Sequence, residues 1–358
     1  MNLESNTNEC DIRHAGLNRN GKDRWWCRTH GANATGKHGV RLEKCVNASF
    51  DVTKLKRLEL DIDLYEGGIG IWGAVEPVFN TTSKTQCTGV HVHARKSSAV
   101  DKKDIDGTFD VVTIPDKADL FNNQPIAITK NAAIAFYIST YLNRDLKYLI
   151  CPHCRSVHLD EAEFVLTPHV KHLCTSCGRY FDDTVRGVSN PVEYFRTLSS
   201  HFLTERKFID PERELNIRQE CYPGGIEIWA SNPALIWTRT KPEEKGIHVH
   251  AYDGENLKPC IDDTYSSVRI DDVYLEVEQI ACLMAQQTLV SIKSKLCVID
   301  CPACKKSHFD KNYFAFEAHK KHVCEHCKEA FSVKKPVVSN PVVRKLEFLS
   351  NKKPDNAK

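Results

Sequence analysis

No apolar run in this 358-residue chain reaches the roughly 18 residues that a membrane-spanning helix needs, so no membrane partner is expected. An excess of one charge is missing too: the formal net charge is +2 and the pI about 7.8, which gives no overall pull toward nucleic acid. The first ten residues, MNLESNTNEC, lack the basic-then-apolar pattern of a secretion signal, and a cytoplasmic, reducing location is the expectation. Common catalytic signatures are also absent. There is no G-x4-G-K-[ST] phosphate loop, no G-x-S-x-G elbow and no G-x-G-x-x-G that follows a strand. Zinc nucleobase deaminases need H-x-E ahead of P-C-x-x-C, and no H-x-E occurs. What the chain does have in quantity is cysteine, sixteen residues, and in a reducing compartment the C-x2-C pairs among them mean metal rather than disulfide.

Two stretches carry that reading. Cys151 to Cys177 opens with CPHC and closes with CTSC; Cys301 to Cys327 opens with CPAC and closes with CEHC, 150 positions later. The expected ligands are Cys151, Cys154, Cys174 and Cys177 in the first, and Cys301, Cys304, Cys324 and Cys327 in the second. Each hook presents two thiolates about 2.3 Å from a metal, and two hooks complete a closed tetrahedral shell, which makes zinc the expected cofactor and its role structural. Aligned without a gap, 151–192 and 301–342 share 17 identities in 42 positions, among them the pentapeptide VSNPV. The shared phenylalanines Phe164/Phe314 and Phe181/Phe331 read as a small core. His158/His308, Asp160/Asp310, His169/His319 and His172/His322 are also shared; a helical turn would place His169 and His172 on one face, as substitute ligands or as hydrogen-bond partners of the thiolates. The cysteine and histidine spacing resembles prokaryotic zinc ribbons at the level of fold.

A second repeat precedes each ribbon. GGIGIW at 67–72 matches GGIEIW at 224–229, and GVHVHA at 89–94 matches GIHVHA at 246–251. Period-two alternation bounded by Gly, Pro and Asp predicts strands. Apolar residues at three- and four-residue spacing predict a helix next, with Ile134, Ile138, Tyr141, Leu142, Leu146 and Leu149 on one face in the first copy, and Ile280, Leu283, Met284, Ile292 and Leu296 in the second. The expected fold is therefore α+β: a tandem duplication of a small antiparallel β module, a helix and a zinc ribbon, preceded by a zinc-knuckle-like segment. The boundaries are 1–54 for the Cys/His-rich segment, 55–150 for the first β module and helix, 151–192 for the first ribbon, 193–300 for the linker with the second β module and helix, 301–349 for the second ribbon and 350–358 for the tail. In the first segment Cys10, Cys27 and Cys45 with His30 or His14 offer a third metal site. Its basic residues interleave with tryptophans, so Arg24, Trp25, Trp26 and Arg28 are candidate contacts for phosphates and bases.

His91 with His93, and His248 with His250, lie two apart on predicted strands, so both rings of a pair project from one face. Such a pair can offer two imidazoles to one metal, or it can be packed and hydrogen-bonded in a half-buried sheet. The second copy partly resembles the first cupin motif, G-x5-H-x-H-x3,4-E, with Glu255 as its acid, although the leading glycine is missing and the first copy has Ser98 there. His158, Asp160, His169 and His172 leave a nuclease of HNH type as a further enzyme reading. The leading expectation is a zinc-stabilised tandem-repeat binding or scaffold protein with a macromolecular partner, nucleic acid or a protein in an assembly. The alternative is a metal-dependent hydrolase or nuclease that uses the H-x-H strands or the ribbon histidines. Charge locates the first: ribbon one carries four Lys/Arg against five Asp/Glu, ribbon two eight against four, which singles out Lys320 and Lys321 as candidate nucleic-acid contacts.

Overall fold

A computed structural model describes residues 12–17, 23–27, 40–41, 55–82, 88–97, 103–115, 126–174, 176–198, 206–208, 213–231, 234–237, 243–254 and 258–351. In the N-terminal segment only backbone is described, a three-stranded meander of β1 (Ile12–Leu17), β2 (Asp23–Cys27) and β3 (Val40–Arg41). The expected ligands Cys10, His30 and Cys45, and the side chains of His14, Arg24, Trp25, Trp26, Cys27 and Arg28, lie outside what is described.

The first unit runs β4 (Arg57–Glu59), β5 (Gly68–Ala74), β6 (Phe79–Asn80), β7 (Gly89–Arg95), β8 (Ile105–Phe109), β9 (Val111–Ile114), β10 (Ile126–Thr129) and α1 (Lys130–Tyr141). Its cysteine module adds β11 (Leu146–Lys147), β12 (His169–Leu173) and β13 (Tyr180–Ser189), followed by α2 (Pro191–Leu198) and a short β14 (Arg206–Phe208). The second unit repeats the order: β15 (Glu214–Ile217), β16 (Gly225–Ala230), β17 (Ile236–Trp237), β18 (Glu243–Lys245), β19 (Ile247–Tyr252), β20 (Ile261–Tyr265), β21 (Ser267–Ile270), β22 (Val273–Glu276) and α3 (Val277–Thr288). A one-turn α4 (Val290–Lys293), β23 (Leu296–Cys297), β24 (His319–Val323), β25 (Ala330–Ser339) and α5 (Val342–Asn351) complete it.

The two units interlock. In the first four-stranded sheet the order is β17-β5-β7-β8, and in the second β20-β19-β16-β6, so each takes its edge strand from the other unit. Ile236 pairs with Ile71 and Phe79 with Ile228. The exchange covers the open edges of β5 and β16, whose unpaired amides would otherwise template another chain. Pairing is not antiparallel throughout, because β4 runs parallel to β9 and β15 parallel to β21. The glycine pairs make tight turns: Gly68 and Gly225 sit at φ 108° and 111°, and a Cβ on Gly67 would lie 2.5 Å from the Arg95 carbonyl oxygen.

The helices are shorter than the apolar spacing predicts. α1 ends where Asn143 turns left-handed at φ 52°, and Leu146 continues as strand β11. In the second copy Leu289 is extended between α3 and α4, and Leu296 belongs to β23. Nor does α1 bury a single stripe: Ala132, Ala133, Ala135, Phe136, Tyr137 and Ile138 are all buried, because the helix sits between its own sheet and α3. Tyr137 Oη donates to the Ala281 carbonyl of α3 at 2.9 Å, and Tyr141 meets Phe316 of the second cysteine module edge to face. One of two large apolar clusters accordingly spans both units, with Ala135, Tyr137, Ile138 and Val165 packed among the apolar residues of the second, while the other centres on the first unit's sheet. No helix among the described residues is long and apolar enough to cross a membrane.

Candidate metal centres

Each cysteine module brings its two hooks together. Sγ separations are 3.7 Å for Cys151–Cys177 and 3.6 Å for Cys154–Cys174, and 3.6 Å for both Cys301–Cys327 and Cys304–Cys324. A tetrahedron with metal–sulfur bonds of about 2.3 Å has edges of about 3.8 Å, so these are metal-binding distances compatible with zinc, and far from the roughly 2.05 Å of a disulfide. The backbone prepares the hooks. The residue after each second cysteine is left-handed, Arg155 at φ 62°, Gly178 at 69°, Lys305 and Lys328 at 63°, and its amide donates back to the carbonyl of the first cysteine. That turn aims both thiols at one point, and only one of the four hooks uses the glycine that adopts it without cost.

Behind each hook pair lies a buried hub that the shared histidines build. Asp160 Oδ1 is 2.7 Å from His158 Nε2, 3.3 Å from His172 Nδ1 and 3.3 Å from His169 Nε2, while Oδ2 accepts the Ser189 amide at 2.7 Å. Asp310 repeats this with His308 at 2.8 Å, His322 at 3.2 Å, His319 at 3.3 Å and Ser339 at 2.7 Å. Burial pushes the Asp160 and Asp310 carboxyls up, but the histidine hydrogen bonds outweigh it and hold both below the usual carboxylate range. His169 and His172 are on strand β12, not on a helical turn; they reach one carboxylate because the register slips between His169 and Lys171, spoiling strict alternation. The thiols are not their partners. His158, Asp160 and His172 are only 2%, 4% and 0% exposed, whereas the ring of His169 is half-buried at the edge of the hub; the three buried groups are close enough to share one metal ion. Phe181 is core as expected, whereas Phe164 and Phe314 are exposed and lie against His169 and His319.

The repeated pentapeptide, which sequence reading left without a role, ties module to helix. Ser189 Oγ donates to the His158 carbonyl and Asn190 Nδ2 to the Ala132 carbonyl of α1; Ser339 and Asn340 do the same with His308 and with Gln279 of α3.

The H-x-H strands form the third kind of cluster. Register places Thr108 opposite His91, Asp106 opposite His93, and Trp72 and Gly70 on the other flank, across β5. His91 Nδ1 lies 3.0 Å from Thr108 Oγ1, the two Nε2 atoms are 2.8 Å apart, and Asp106 Oδ1 is 3.2 Å from His93 Nε2. Lys103 closes this cluster, its Nζ 3.0 Å from His93 Nε2 and 3.0 Å from Asp106. In the second unit His248 Nδ1 is 3.1 Å from Thr264 Oγ1, the Nε2 atoms of His248 and His250 are 3.0 Å apart, and Asp262 Oδ1 is 3.5 and 3.3 Å from them. Glu227 stands where the first unit has Gly70; it is 1% exposed, 3.5 Å from His250 Nδ1, and accepts hydrogen bonds from Tyr252 and from Thr82 beside the exchanged strand β6. Burial lowers His250, but its pairing with Asp262 and Glu227 outweighs this and raises it to about 9. Burial and the neighbouring His250 drop His248 to about 4, and the His250 hydrogen bond takes Asp262 to about 2. The clusters also feel one another, His250 acting on His91 and Lys103 on Asp262.

The half-buried, hydrogen-bonded sheet expected of the histidines is there, with a carboxylate from the next strand added. Glu255 lies outside the described residues, and the acid that meets the pair is Asp262. Asp106 and Asp262 were legible as a third match between the copies, IDGTF against IDDTY, which also supplies Thr108 and Thr264. Comparison with protein-family models, curated proteins and solved structures finds no match to this chain.

Proposed function

We propose that the chain is a tandem duplication of a zinc-ribbon unit that binds a polyanion, nucleic acid, through its second ribbon. The observation that carries this is the surface of 301–342. Lys305, Lys306, Lys320, Lys321, Lys328, Lys334 and Lys335 are all exposed, and among the described residues none of them is in an ion pair. At the matching positions the first ribbon has Arg155, Ser156, Val170, Lys171, Gly178, Thr184 and Val185, so five of the seven cations are missing there, against two of its own, Arg179 and Arg186. Phe314 and Tyr313 are exposed aromatic rings of the same module. Seven exposed lysines in one module with few compensating acids attract phosphate backbones even though the chain as a whole is nearly neutral.

The test is Lys320→Glu with Lys321→Glu, against a control at Lys171→Glu, with binding to mixed-sequence DNA and RNA measured across a salt series. The double variant is expected to bind more weakly, with a salt slope smaller by roughly 0.7 to 0.9 per lost phosphate contact, while the control keeps the parental slope. Absence of binding by the parent protein at low salt would overturn the reading and leave a protein partner in its place. A metal-dependent hydrolase is the second reading, and the specific observation in its favour is the His248/His250/Asp262 cluster.

A further inference from the structure

The two H-x-H clusters share a sheet position, a Thr behind the first histidine and an Asp across from the second, yet their charges differ. In the first, one carboxylate, Asp106, is matched by one ammonium, Lys103. In the second, Pro259 occupies the place of Lys103, two residues before the strand that carries the aspartate, and Glu227 replaces Gly70. The second cluster thus loses a positive charge and gains a buried negative one, leaving two carboxylates around two imidazoles.

Geometry sharpens the difference. Glu227 engages His250 Nδ1, which turns His250 Nε2 toward the cluster. That atom faces His248 Nε2 at 3.0 Å and the Asp262 oxygen at 3.3 Å. Three possible ligand atoms thus converge on one point. The three edges of 3.0, 3.3 and 3.5 Å match one face of a tetrahedron whose metal–ligand bonds are about 2.0 to 2.1 Å long.

We propose that His248 Nε2, His250 Nε2 and an Asp262 oxygen form an open site for a divalent first-row metal ion such as zinc, with Glu227 as the positioning carboxylate behind His250, and that the matching site of the first unit is closed by Lys103. Two histidines and one carboxylate on neighbouring strands leave at least one coordination position for water or ligand, unlike the closed cysteine shells. The half-exposed histidine rings give that position access to solvent. A carboxylate holding the outer nitrogen of a ligating histidine fixes its tautomer and raises its basicity. Thr82, two residues past the exchanged strand, in turn holds Glu227. The site stands whether or not the second ribbon meets a polyanion.

The experiment counts metal on full-length protein purified without chelator, by elemental analysis and by cobalt(II) titration, in which thiolate charge-transfer bands report the cysteine shells and weaker d–d bands report a nitrogen–oxygen site. His248→Ala and Asp262→Asn should each lose one equivalent and the nitrogen–oxygen bands while keeping the thiolate bands, and His91→Ala should lose none. Glu227→Gln should keep the equivalent but bind cobalt roughly 10- to 100-fold more weakly. Unchanged metal content and cobalt spectra in both His248→Ala and Asp262→Asn would overturn the proposal and leave the cluster as histidines hydrogen-bonded to carboxylates. Equal loss in His91→Ala would overturn the asymmetry. Because Asp262 is largely exposed, Asp262→Asn keeps the test readable if His248→Ala disturbs folding.

Discussion

At the scale of single residues the chain spends buried charge to hold its cysteine modules. Asp310 is almost fully buried and is approached by three imidazoles and one backbone amide, and Asp160 is its counterpart. Neutralising such a group leaves its donors facing an amide that cannot accept from all of them. Asp310→Asn is therefore expected to destabilise the protein by about 3 kcal/mol or more, seen as a lower urea midpoint. An unchanged midpoint would mean that His308 and His322 are held by packing alone. The cysteines act on a larger scale of energy, since zinc affinity on the order of 10 kcal/mol becomes folding free energy when the thiolates meet only in the folded state. Cys151→Ser and Cys301→Ser should each release one zinc and unfold one module; full zinc content with an unchanged melting profile would show that these thiols are not ligands.

At the scale of elements the junction between helix and module carries the argument. Asn190 and Asn340 each donate to a helix carbonyl and accept the amide two residues on, from fully buried positions. Replacing either with alanine strands a buried carbonyl and a buried amide, at a cost of about 1 to 3 kcal/mol. The loss should appear as faster hydrogen exchange in the adjoining strand, β13 or β25, before the four-stranded sheets are affected. Uniform acceleration across both sheets would instead place these asparagines in the global folding unit.

At the scale of the whole molecule the exchanged strands make the two units one body. Cleaving the chain in the stretch 199–205, through an inserted protease site, should leave the halves together in gel filtration, because each four-stranded sheet contains a strand from the other half. Separation into two folded halves would show that the exchange is dispensable. Both sheets receive an exchanged strand, and the clusters differ through one residue: Glu227, held by Thr82 of the opposite unit, stands where the first unit has Gly70.

The sequence by itself determined whatever depends on short spacing. Two C-x2-C hooks nineteen residues apart meet through local turns, so both cysteine shells were readable, as were the strands of GVHVHA and GIHVHA and the glycine turns before β5 and β16. Apolar spacing misjudged the helices, because it cannot distinguish a helix that ends at Asn143 from a strand that continues the same spacing to Leu146. Three matters were left to the tertiary structure. The exchange of β6 and β17 depends on which sheet edge lies nearest, a choice the strand sequences do not encode. The Asp160 and Asp310 hubs depend on a register slip that turns His169 and His172 toward one oxygen. The difference between a lysine-closed and an open H-x-H cluster depends on cross-strand neighbours: Gly70 or Glu227, 23 residues before His93 or His250, and Lys103 or Pro259, 10 or 9 residues after, which become partners only when the sheet forms.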